Sequence, residues 1–160
     1  MSPVFEGNFL APTGRFALCV SRFNGPITEQ LRAGAEDALV RHGVAAEDVD
    51  VLKVPGTFEL PALVRRVAES GQYVGVVALG CVIRGGTPHF EYVAAEVTKG
   101  IGQVALDAHC AVTFGVLTCD SVEQAVDRAG MKGGNKGAEA AMACLEMVNL
   151  YTRLHPAKKR

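Results

Sequence analysis

A chain of 160 residues, 49% of them hydrophobic, is long enough to bury a proper core as one globular domain. Its 16 basic and 17 acidic residues nearly cancel, which excludes an electrostatic grip on nucleic acid, and the terminal cluster Lys158-Lys159-Arg160 reads as a solvated tail. No charged-then-apolar leader and no apolar run of membrane-spanning length occurs, so the chain is expected to be neither exported nor inserted.

Met1 to Thr13 does not fit a helix and reads as an extended arm. On a sheet of only four strands, such an arm is expected to cover a neighbour's edge. Phe16 to Ser21 reads as a strand. Ile27 to His42 follows as a helix, with Ile27, Leu31, Ala35, Ala38 and Leu39 on one side and Gly43 just past its end. Val49 to Val54 is a second strand, and Leu60 to Ser70 a second helix with Pro61 in its first turn.

Tyr73 to Cys81 is a third strand, apolar on both faces as a central parallel strand should be. His89 to Leu106 reads as a helix capped by Thr87 and Pro88. Ala111 to Thr118 is a fourth strand. Ser121 and Gln124 are spaced as a capping box for a short helix, and Asn135 can cap a last helix running to about Leu154. Strand–helix alternation of this kind predicts an open parallel sheet with helices on both faces, in a single domain. Ligands in such sheets sit beyond the carboxyl ends of the strands.

Cys19, Cys81, Cys110, Cys119 and Cys144 form no Cys-x-x-Cys pair, and the four histidines are scattered, so no zinc-type constellation is present. The thiols read as reduced, which favours the cytosol.

The strand ends carry the unusual residues. After the first strand comes Ser21-Arg22-Phe23-Asn24-Gly25, where Phe23 either packs back or offers a platform to a flat ring. After the second comes Pro55-Gly-Thr-Phe-Glu-Leu-Pro61. There Glu59 either favours the positive helix end or accepts hydrogen bonds from a polyol or ring N–H groups, with the Thr57 and Phe58 amides as donors. Gly85-Gly86-Thr87 follows the third strand. It is either a plain tight turn or a backbone cradle for phosphate or carboxylate at a helix N-terminus. His89 lies in the same turn, where the positive helix end favours a neutral imidazole able to accept a proton and pass it on. Beyond the fourth strand, Arg128 and Lys136 supply positive charge. The run from Gly130 to Gly137 lacks the glycine before its lysine and the Ser/Thr after it, so it is not a P-loop, and no Gly-x-Gly-x-x-Gly follows any strand.

Taken in order, Glu6-Gly-Asn8, Ser21-Arg-Phe-Asn24, Val54-Pro-Gly-Thr-Phe-Glu-Leu-Pro61, Ala78-Leu-Gly-Cys-Val-Ile-Arg-Gly-Gly-Thr-Pro-His-Phe-Glu-Tyr-Val93, Phe114-Gly-Val-Leu-Thr118 and Arg128-Ala-Gly-Met-Lys-Gly-Gly-Asn-Lys-Gly-Ala-Glu-Ala-Ala141 resemble the 6,7-dimethyl-8-ribityllumazine synthases of riboflavin biosynthesis. Only the C-terminal tail lacks a counterpart. The resemblance implies a flavodoxin-like three-layer α/β sandwich around a four-stranded parallel sheet. It also implies a pentamer with active sites between subunits, and no cofactor or metal. The implied substrates are 5-amino-6-(D-ribitylamino)uracil and 3,4-dihydroxy-2-butanone 4-phosphate.

Carried over, Phe23 stacks on the uracil. Thr57, Phe58 and Glu59 hold the ribityl chain and ring edge, with Cys81, Val82 and Ile83 alongside. Gly86 and Thr87 bind phosphate, and His89 transfers protons. Phe114 and Arg128 come from the adjacent subunit, with Lys136 adding charge. The short 130–137 link is that of members forming sixty-subunit shells, and riboflavin synthase is the implied protein partner. Two other readings stand beside this one. A non-catalytic flavin- or lumazine-binding or shell-forming homologue has no need of His89 or Arg128. A pentameric riboflavin synthase has no use for a phosphate site.

Overall fold

The computed structural model describes residues 1–155; the basic tail lies outside the described residues. Four parallel strands, β1 (Arg15–Ser21), β2 (Val49–Val54), β3 (Tyr73–Ile83) and β4 (Ala111–Cys119), form a sheet of order β2-β1-β3-β4. Helices α1 (Gly25–Arg41), α2 (Leu60–Glu69), α3 (His89–Asp107), α4 (Val122–Arg128) and α5 (Lys136–Leu154) flank it. This is an α/β flavodoxin-like fold, as the alternation of elements predicts. The element bounds agree with the sequence reading to within two residues at nearly every end.

Side chains alternate across the pleat and so feed two cores. Phe16, Leu18 and Val20 of β1 point to one face with Val77 and Leu79 of β3, where α1 and α5 pack with Leu31, Leu39, Ala141 and Leu145. Ala17 and Cys19 point to the other with Val76 and Ala78, against Leu60, Val64, Val97 and Ile101 of α2 and α3. Right-handed crossovers account for this division. The chain moves one way from β1 to β2 and the opposite way from β2 to β3 and β4, so α1 lands on one face and α2 and α3 on the other.

The structure corrects two local expectations. The residue before α3 is Pro88, and no side chain caps this helix, Thr87 included. At α4 the capping box is only half made. Ser121 Oγ accepts from the Gln124 N–H at 3.2 Å, but the Gln124 side chain accepts from the N–H of Asp120, one residue too early. The arm is anchored at residues 6–10. Asn149 Nδ2 donates to the carbonyls of Asn8 and Leu10, each at 2.9 Å, and Arg153 donates to the carbonyl of Glu6, binding this stretch to α5 of its own chain. The structure adds one feature: the link to α5 folds as a small antiparallel hairpin, β5 (Ala129–Met131) and β6 (Gly134–Asn135).

Asn135 caps α5 as expected, accepting from the Ala138 N–H at 3.0 Å, and its amide donates to the Gln30 carbonyl of α1 at 2.9 Å. The two helices touch so closely there that a Cβ on Gly137 would lie 2.1 Å from the backbone oxygen of Leu31. Because the clashing atom is backbone, Gly137→Ala is expected to cost at least the ~1–3 kcal/mol of an overpacked core, read from the urea midpoint.

All five cysteines are buried. Burial pushes the Cys19, Cys81 and Cys144 thiols from 9.0 up to about 12. In the unfolded chain these thiols ionise from about pH 9, so above that pH the unfolded state sheds protons that the folded state keeps. Their contribution to stability is therefore complete below pH ~9 and is lost as pH rises toward their folded values. The expected outcome is a urea midpoint that holds to about pH 9 and falls as pH rises from there toward about 12, with a flatter fall in Cys19→Ala/Cys144→Ala. An equal slope in that variant would refute the thiol origin.

Candidate functional site

With order β2-β1-β3-β4, the chain leaves β1 toward β2 on one side while β3 lies on the other, so a crevice opens beyond the carboxyl ends of these strands. A cavity of about 570 Å³ occupies it. Phe23 and Asn24 after β1, Gly56 to Glu59 after β2, Cys81 to Ile83 at the end of β3, and His89 and Val93 on α3 line it. Eight of the expected site residues therefore meet in one place: Phe23, Thr57, Phe58, Glu59, Cys81, Val82, Ile83 and His89.

The floor is buried and the rim is open. Cys81 and Thr57 are buried, whereas Phe23 is 69% and Phe58 61% exposed. Large aromatic faces left in water at the mouth of an apolar cavity are what a stacked ring would cover. Phe23 is held by its backbone, its N–H donating to the Pro55 carbonyl at 3.1 Å. Glu59 spends one carboxylate oxygen on the Gly56 N–H at 3.0 Å, which fixes the β2 turn and leaves the other oxygen without a partner among the described residues.

Beneath the cavity three strand ends are tied together at one atom. The Cys81 carbonyl accepts from Asn24 Nδ2 at 2.9 Å, and the Thr57 hydroxyl lies 3.5 Å from it and 3.3 Å from Ser21 Oγ. The Cys81 thiol, pushed up to about 12 by burial and then by the neighbouring Cys119, stays protonated and is no nucleophile near neutral pH.

Gly86 and Thr87 lie on the exposed loop between β3 and α3, beside the cavity wall. A Cβ at Gly85 or Gly86 would meet nothing within 4 Å, and neither residue has positive φ. Nothing in this chain requires glycine there. Together with the uncapped start of α3, the loop is open backbone at a positive helix end. Arg84 closes it from below. Its guanidinium donates to Asp120 and Glu91, each at 2.9 Å, and sits 4.5 Å from the Phe90 ring centroid. These hydrogen bonds, Asp120 first, raise its pKa above the ordinary value.

Phe114 and Arg128 are elsewhere. With Lys136 they line a second cavity of about 420 Å³ on the outer side of β4, which shares no residue with the first. Lys136 pairs with Glu139 at 2.8 Å. Arg128 donates only to the Gln124 carbonyl at 3.1 Å, and among the described residues no carboxylate lies within ion-pair distance. Sequence reasoning missed Asn24, Gly56 and Val93 in the first cavity. An Asn-Gly step directly after a strand was the available signal for Asn24.

Fold and crevice define an α/β protein with an open cavity at the switch point of its parallel sheet. Residues 13–152 match the family model for 6,7-dimethyl-8-ribityllumazine synthase. A 6,7-dimethyl-8-ribityllumazine synthase of Myxococcus xanthus (strain DK1622) is 66% identical over 159 residues, covering 96% of this chain and 95% of the relative. Proteins of the same name from Anaeromyxobacter sp. (strain K) and Anaeromyxobacter sp. (strain Fw109-5) are 61% and 62% identical, covering 97% and 90% of those relatives and 98% and 92% of this chain. The chain belongs to the 6,7-dimethyl-8-ribityllumazine synthase family and is a transferase of riboflavin biosynthesis.

Proposed function

We propose that residues 1–160 act as a single domain that condenses 5-amino-6-(D-ribitylamino)uracil with 3,4-dihydroxy-2-butanone 4-phosphate to 6,7-dimethyl-8-ribityllumazine, releasing phosphate and water. The carrying observation is the meeting of Phe23, Glu59 and His89 around one apolar cavity at the sheet's switch point.

In this reading Phe23 stacks on the pyrimidine, with Val82 and Ile83 as an apolar floor and the Cys81 backbone alongside. Glu59 and the Thr57 and Phe58 amides hold ribityl hydroxyls and the ring edge. Gly86 and Thr87 cradle the phosphate with backbone N–H groups. The 5-amino group attacks the ketone, and water leaves as the imine forms. Phosphate then departs by elimination, and the ribitylamino nitrogen closes the second ring with loss of water. His89, exposed at the first turn of α3, relays protons between these steps. Holding two reactants at bonding distance contributes up to ~7–11 kcal/mol in favourable cases, which suits chemistry needing no activated side chain.

Phe114 and Arg128 complete the site from an adjacent copy, Arg128 facing the phosphate. Its lack of a carboxylate partner among the described residues and its cavity on the far side of the sheet support this. Lys136, already paired with Glu139, contributes charge only at longer range. The assembly is a cytoplasmic pentamer joined into a sixty-subunit shell, with riboflavin synthase, which uses the product, as its protein partner.

Wild-type protein given both substrates should generate lumazine absorbance and free phosphate together; a flavin-binding homologue gives neither. Arg128→Ala is expected to lose about 100-fold or more in kcat/KM, the scale of removing one charge-stabilising donor. His89→Ala should lose less than the ~100-fold lower bound for a well-placed proton-transfer group, because water reaches the rim. Co-assembled in equal amounts, those two variants should regain activity in about a quarter of sites, where two intact halves meet. A mixture no better than its components would rule out the shared site. Light scattering reads the assembly: particles of pentamer mass alone would contradict the shell.

A further inference from the structure

Asn24 has φ 59° and ψ 41°, and it alone among non-glycine residues described here has positive φ. Left-handed backbone is costly for a residue with a side chain, least so for Asn, and it persists where something else is gained. The gain is not a helix cap. An Asn before a helix ordinarily turns its side-chain oxygen onto the free N–H groups of the first turn. Here Pro26 has no N–H to offer. The N–H groups of Ile27 and Thr28 already donate to the backbone carbonyl of Asn24, at 2.9 and 3.1 Å. The side chain makes no capping bond to α1.

The amide reaches instead from the end of β1 across to β3, donating to the Cys81 carbonyl at 2.9 Å. Its chain neighbour Phe23 has most of its ring in solvent and so is not located by packing. Two backbone-directed bonds locate it: its own N–H to the Pro55 carbonyl, and the Asn24 amide to Cys81. The first sets its distance from the β2 turn, the second from the β3 floor.

We propose that Asn24 is a positioning residue for the pyrimidine substrate. Its bond to the Cys81 carbonyl sets the gap between the Phe23 ring and the Val82–Ile83 floor into which the flat ring slides. This rests on the reading of Phe23 as the stacking platform.

Two variants separate the amide from the backbone. Asn24→Gly accepts the left-handed conformation without strain but has no amide. Asn24→Asp also tolerates it, yet turns a carboxylate oxygen onto the Cys81 carbonyl. The probe is 6-(D-ribitylamino)uracil, which lacks the 5-amino group and so cannot form the imine. It is titrated calorimetrically into wild type and both variants, with thermal melts and steady-state kinetics alongside.

In Asn24→Gly the probe Kd and the pyrimidine KM should rise about fivefold, the share of one neutral hydrogen bond, and rise further in Asn24→Asp. The KM for the butanone phosphate and kcat should stay within about twofold, because the phosphate side is untouched. The glycine variant should melt somewhat lower than wild type, because the buried Cys81 carbonyl loses a donor, yet remain folded at the assay temperature. Wild-type affinity in both variants overturns the proposal, as does a fall in kcat with unchanged Kd. If wild type itself fails to bind the probe, the pyrimidine reading of the crevice falls, and this role with it. Tight wild-type binding with indifferent variants removes only the role of Asn24.

Discussion

The order of four parallel strands is the constraint from which the rest follows. Parallel neighbours need crossovers, and crossovers have one hand. Once β1 has β2 on one side and β3 on the other, its following loop and that of β3 must part above the sheet. The 570 Å³ cavity is that parting. No side chain creates the crevice; side chains furnish it. The furnishing falls to three loops because three strand ends surround the gap, and they are held in register by bonds that converge on the Cys81 carbonyl.

Polar groups at that convergence lie deep in an apolar sheet, where an unmade hydrogen bond costs ~1–3 kcal/mol. Ser21 is fully buried and Thr57 nearly so, and among the described residues no buried side-chain nitrogen or oxygen lacks a partner. The cluster thus ties the three loops together without leaving a debt in the core. The rim is treated in the opposite way. Phe23, Phe58 and His89 remain in water, and Gly85 and Gly86 stand in open space. A hydrogen-bonded base beneath an open rim of aromatic faces and free backbone suits positioning chemistry, since a bound molecule then completes contacts that the chain leaves open.

Much of this was legible because it is local and periodic. Strand β2 reads to the residue from Val49 to Val54, and the Asn135 cap from its place before a helical run. What escaped the sequence depends on distance or degeneracy. Gln124 sits three residues after Ser121 as a capping box demands, yet its side chain serves Asp120, a choice that spacing alone does not distinguish. Residues 6–10 carry no pattern that names Asn149, more than a hundred positions away, as their anchor. The hairpin of residues 129–135 has too few side chains for alternation to register. Asn24 was visible as a turn former, but its bond to Cys81 spans 57 positions and appears only when β1 and β3 lie side by side. That Phe23, Thr57, Phe58, Glu59 and His89 would gather around one cavity was legible because strand ends of a parallel sheet are where binding loops gather.

One chain also leaves a mismatch in charge. Near the strand ends Arg84 is neutralised by Asp120 and Glu91, and Lys136 by Glu139, while Arg128 is offered no carboxylate by the described residues. A guanidinium kept free of carboxylates at the wall of a cavity retains its full attraction for an anion. The exposed Gly85-Gly86-Thr87 turn at the uncapped start of α3 lies between Ile83 and His89, which line the other cavity. Phe114 shows the same pattern, an aromatic left 41% exposed on β4, whose outer edge pairs with no strand among the described residues. In the reading proposed above, cation and aromatic at one cavity and the turn beside the other are two halves of one site. A ring of identical copies joined head to tail brings such halves together with one repeated contact, because a heterologous interface sets unlike surfaces against each other at every junction.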